Sequence, residues 1–88
     1  MINKKLQLLY VKDGVLENQI FSSFKRIHIF LYENGVPEEL QINDLEGNVL
    51  LHYINKEKGC TLNYKMSVPG SLIFEIINQR EGAPIKED

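Results

Sequence analysis

Residues 26–40, RIHIFLYENGVPEEL, decide how this chain is read. Alternation puts Ile27, Ile29 and Leu31 on one side and His28, Phe30 and Tyr32 on the other, which is the period of a strand. The residue types agree, since β-branched and aromatic side chains favour a pleated surface. Glu33-Asn34-Gly35 breaks the run, and Pro37 then fixes φ and withholds a backbone donor. The segment reads as a strand that ends in a turn and hands over to a short edge strand.

Downstream, the same period continues. LQIND (40–44) is a short strand and NDLEGN (43–48) a turn of Asn, Asp and Gly. VLLHYIN (49–55) is the next strand and KEKG (56–59) the next turn. CTLNYKM (60–66) alternates cleanly, with Cys60, Leu62, Tyr64 and Met66 inward. VPGS (68–71) suits a type II turn centred on Pro69-Gly70, and LIFEIIN (72–78) is the last strand. Upstream, KKLQLLYV (4–11) leads to Asp13-Gly14, a strong hairpin signal because both residues tolerate positive φ.

Residues 15–24 admit two readings. VLENQIF continues the hairpin as a strand. Leu16, Ile20, Phe24 and Ile27 also recur at helical spacing, and Asp13 could cap such a helix. Ser22-Ser23 count against a helix interior.

The resulting expectation is an all-β domain, a small antiparallel immunoglobulin-like sandwich or barrel of six to seven strands. Its inward residues are Ile27, Ile29, Leu31, Leu51, Leu62, Tyr64, Leu72, Phe74 and Ile76. The alternative is α+β, with a helix near 15–24. Residues 1–80 form the single domain, and 81–88 a polar, frayed tail.

Composition bounds the function. The chain has 88 residues, 43% hydrophobic and 25% charged, which fits one globular domain with a small core and excludes a disordered chain. Twelve acids against ten bases, well mixed, give no basic stripe for nucleic acid. The first residues are too short an apolar run for a signal peptide or a membrane span, so a cytoplasmic product is expected. Cys60 has no internal disulfide partner and no adjacent His or Asp, and reads as a buried small hydrophobe. No catalytic, cofactor or phosphate-binding motif is present, so no enzyme is expected and no cofactor or metal is assigned. Beside His28 and His52, Glu75 is the one same-parity candidate for a third metal ligand, and motif spacing is lacking.

The second faces of these strands carry the interaction signal. His28, Phe30 and Tyr32, then Leu50, His52 and Ile54, then Ile73 and Ile77 pair large apolar groups with few polar ones. A free-standing sandwich should be polar there. These residues are therefore interface candidates for a protein partner, for self-association by face-to-face pairing of sheets, or for both. The alternative is a small-molecule-binding β-barrel with Phe30, Tyr32 and Tyr53 at its mouth.

Turn chemistry carries one family resemblance. Glu33, Asn34, Gly35, Pro37 and Leu40, then DLEGNV (44–49) and PGSLIFEI (69–76), resemble the N-terminal domain of the phage baseplate upper protein family across residues 5–78. The resemblance implies an immunoglobulin-like sandwich. It also implies a phage structural or host-modulating protein that acts by binding, in the host cytoplasm or the virion.

Overall fold

A computed structural model describes residues 5–56 and 59–81. Its elements run β1 (Leu6–Lys12), β2 (Val15–Phe21), α1 (Phe24–Asn34), β3 (Glu39–Asp44), β4 (Val49–Lys56), β5 (Gly59–Tyr64) and α2 (Gly70–Glu81). The strands form one antiparallel sheet in the order β2-β1-β3-β4-β5. Antiparallel pairing was expected; the strand number and the two-layer sandwich were not right. Among the described residues five strands make a single sheet, and the second layer is helical, so the architecture is α+β. The helix that the alternative reading put near 15–24 is also displaced, because that stretch is β2 followed by the entry to α1.

The Asp13-Gly14 hairpin forms as the sequence indicates, with Asp13 at φ 53° and Gly14 at φ 79°. Both positive values are what a tight two-residue connection between twisted strands requires. The β3–β4 turn also matches. There Asp44 accepts from the backbone amides of Glu46 (2.9 Å) and Asn48 (2.8 Å) and from the Asn48 side chain (2.9 Å). Those bonds hold its carboxyl below the usual carboxylate pKa, the Asn48 side chain first among them.

The two helices are where local composition misleads. Ser23 caps α1: its hydroxyl accepts from the Arg26 amide at 3.3 Å, and its carbonyl accepts from the Ile27 amide. Gly35 closes the helix at φ 83°, its amide donating to the Leu31 carbonyl at 2.8 Å, and Pro37 follows. Between these stops, Ile27 and Leu31 point into the core at a spacing of four. Likewise Pro69 does not centre a turn. Its carbonyl accepts from the Leu72 and Ile73 amides and starts α2, which buries Leu72, Glu75 and Ile76.

One core lies between the sheet and the helices. Leu6, Leu8 and Tyr10 of β1, Leu40 and Ile42 of β3, and Leu51 and Tyr53 of β4 meet Ile27, Leu31, Leu72 and Ile76, with Val68 closing one end. Five of the nine expected inward residues are in it. Ile29 and Phe74 are exposed, because two residues along a helix is a rotation of about 200° and not a return to the same face. Leu62 is partly buried against the core, whereas Tyr64 and Met66 are exposed. Cys60 is exposed too, not the buried thiol expected, because it lies on β5 at the rim of the sheet. Of the tail expected from 81 onward, Glu81 ends α2 and the rest lies outside the described residues, as do 57 and 58 of the β4–β5 turn.

Candidate functional site: the open face of the sheet

Both helices cover the same side of the sheet. Registers sort the residues of the other side into three rows across the strands. Leu16, Val11, Glu39, Ile54 and Thr61 form the first row. Asn18, Leu9, Gln41, His52 and Asn63 form the second, and Ile20, Gln7 and Asn43 begin the third.

A chain of carboxamides runs through this face. Gln41 Nε2 donates to Asn43 Oδ1 at 3.0 Å, Asn43 Nδ2 to Gln7 Oε1 at 3.4 Å, and Gln7 Nε2 to Asn18 Oδ1 at 3.2 Å. Carboxamides suit such a relay because each carries both a donor and an acceptor. The relay starts on β3, crosses β1 and ends on β2, the edge strand. Beside it, His52 Nε2 lies 3.2 Å from Glu39 Oε2. Leu9, Val11 and Leu16 line a shallow depression of about 290 Å³ with Glu39 and Gln41. Polar groups oriented by one another thus alternate with apolar side chains across this face.

The sequence-derived interface candidates do not share a surface. His52 and Ile54 are on the open face. His28 faces the other helix, where its Nε2 lies 3.2 Å from Oε1 of the buried Glu75. Phe30 docks α1 onto the hairpin, its ring 5.6 Å from that of Tyr10 and 5.3 Å from that of Phe21. Leu50, at the register shift between β3 and β4, and Ile73 on α2 pack partly buried against the core. Tyr32 and Ile77 are exposed on the outer sides of α1 and α2. The grouping depended on strand parity, and two of its three segments are helices.

The barrel mouth is likewise not assembled. Tyr53 is wholly buried, Phe30 is packed between strands and helix, and Tyr32 lies outside. His28 and Glu75 meet across the two helices, not on neighbouring strands, and His52 is on the far side of the sheet with Glu39. Among the described residues no group of three or more His, Cys, Asp or Glu could hold a metal ion, and no helix is long and apolar enough to cross a membrane.

Sequence reasoning missed Gln7, Asn18, Gln41, Asn43 and Glu39. The signal was present, since Glu39, Gln41 and Asn43 alternate with Leu40 and Ile42, and Gln7 alternates with Leu6 and Leu8. No family model, no curated protein and no solved structure matches this chain.

Proposed function

We propose that this protein is a non-enzymatic interaction module that binds another protein through the open face of its sheet. The observation that supports this reading is the one-sided architecture. Helices seal one face, and the other presents Leu9, Val11 and Ile54 around the Gln41–Asn43–Gln7–Asn18 relay. A partner would bury the apolar groups and receive hydrogen bonds from amides whose orientation is already set, which lowers the ordering cost of binding. Nucleic acid is a poor fit, because the chain is net negative and the face carries a glutamate.

A phage structural or host-modulating setting, in a virion or a host cytoplasm, is what the baseplate resemblance would add. Its support is turn chemistry, and one of those turns, Glu33-Asn34-Gly35, serves here to close a helix.

A cleft of about 310 Å³ favours a second reading, as a small-molecule binder. It lies where the C-terminal end of α1 meets the hairpin, with Tyr10, Phe30, Asn34 and Pro37 among its walls. That volume is at the small end for ligand pockets.

Quantitative affinity capture from the native host separates the readings, comparing wild type with Val11→Lys on the open face and Phe74→Lys on α2. The interaction-module reading expects a partner that Phe74→Lys retains and Val11→Lys loses. Equal recovery on both variants, or a small molecule that stays bound in native mass spectrometry, goes against it.

A further inference from the structure

We infer that two copies of this chain join edge to edge through β2, antiparallel about a two-fold axis at Asn18, so that their sheets become one. This goes beyond the open-face reading and does not depend on it.

The first observation is that nothing among the described residues covers the free edge of β2. It ends the strand order, its register with β1 runs without a bulge from Val15 to Phe21, and Val15 through Ile20 are all exposed. Edge strands are ordinarily blunted by Lys, Pro, a bulge or a covering segment. VLENQIF has no Lys, Arg or Pro, while Leu16 is 68% exposed and Ile20 52%. The opposite edge differs, since β5 is shorter and is followed at once by Lys65.

The second observation is the phase of the backbone. In a two-residue hairpin the closing pair, here Lys12 and Val15, is hydrogen-bonded, and bonded pairs then alternate along the ladder. Val15, Glu17, Gln19 and Phe21 therefore turn their amides and carbonyls toward β1. Leu16, Asn18 and Ile20 turn theirs to the free edge. A two-fold axis at Asn18 sets these same groups against each other: Asn18 against Asn18, and Leu16 against Ile20, for about six new backbone bonds.

The third observation is that the side chains are self-complementary in that one register. Leu16 meets Ile20 of the second copy on the open face, and Val15 meets Phe21 on the helix side. Glu17 meets Gln19, so its carboxylate faces an amide donor and not another carboxylate. At the axis, the relay that ends at Asn18 Oδ1 meets its own copy, and the carboxamide row runs unbroken from one Gln41 to the other. The partner is thus a second copy, because the strand is complementary to itself.

Sedimentation equilibrium on the full chain at micromolar concentrations tests the pairing. Wild type is expected to show twice the single-chain mass. Asn18→Lys puts two ammonium groups opposite each other across the axis, and Asn18→Asp two carboxylates, so each variant alone falls to half that mass with an unchanged circular dichroism spectrum. An equimolar mixture of the two regains the doubled mass. Val11→Lys, which lies away from the edge, keeps it, so failure of the open-face reading stays distinguishable. Should the lysine variant not fold, Leu16→Pro removes an amide directed at the free edge, breaks no ladder bond to β1, and must also halve the mass. A wild type of single-chain mass, variants that stay doubled, or a mixture that does not recover overturns the proposal.

Discussion

Along β1, Leu6, Leu8 and Tyr10 are buried beneath two helices, while Gln7, Leu9 and Val11, alternating with them, are half-buried on the face that no described helix covers. The same contrast holds on β3, where Leu40 and Ile42 alternate with Glu39 and Gln41. One backbone thus serves two environments. The covered face takes its stability from burial. The open face is organised by hydrogen bonds among its own side chains, which contribute less to stability because each exchanges with water. A strand divided in this way can vary its open face for binding with little cost to the fold.

Substitutions should expose the division. Ile42→Ala opens a cavity under both helices and is expected to cost about 2–5 kcal/mol in chemical denaturation. Gln41→Ala, the next residue, should cost no more than about 1 kcal/mol. Comparable losses at the two positions would mean that the faces are not distinct.

Capping of the covering layer comes next in size. Ser23→Ala removes the acceptor for the Arg26 amide and should cost about 1 kcal/mol. Because α1 is held mainly by Ile27 and Leu31, the far-UV spectrum should change little. Loss of the helical signal at native temperature would place more of the layer's stability in the cap than the packing indicates.

The smallest effect belongs to Asp44. Its carboxyl is held below the ordinary value, so the stability it contributes is complete above the unfolded-state pKa and is lost as pH falls through the lowered folded value. Titration by carbon-detected NMR should show that depression in wild type and its reduction in Asn48→Ala, since the Asn48 side chain is the leading cause. An unchanged titration in that variant would assign the effect elsewhere.

Legibility in the sequence followed the same division. Strands β1, β3, β4 and β5 are readable because alternation and turn chemistry agree there, as in Asp13-Gly14 and in Asp44 to Asn48, and β2 is the strand reading of VLENQIF that the hairpin implies. RIHIFLYE and LIFEIIN were not, for a physical reason. They are so densely apolar, and so rich in β-branched and aromatic residues, that the periods of two and of 3.6 both fit. Stop signals would have decided it: Ser23 before α1, Gly35 and Pro37 after it, and Pro69 before α2. Ser22-Ser23 is poor in a helix interior and good at a helix start, and the second property is the one that applies. Leu16 and Ile20 belong to β2 while Phe24 and Ile27 belong to α1, so the helical spacing across them spanned a real boundary. In the candidate site, strand parity groups apolar residues of segments that are helices, whereas the polar residues of the open face lie on true strands, at alternate positions of β1 and β3.

Among the described residues one face of the sheet is sealed by helices and the other is open to solvent. Methyl NMR with a soluble paramagnetic probe measures this directly, residue by residue. The account predicts that Leu8, Ile42 and Leu51 methyls keep their intensity while those of Leu9, Val11 and Ile54 broaden, whether or not copies pair through β2. Equal protection of both sets would show that the second face is covered as well, and would contradict it.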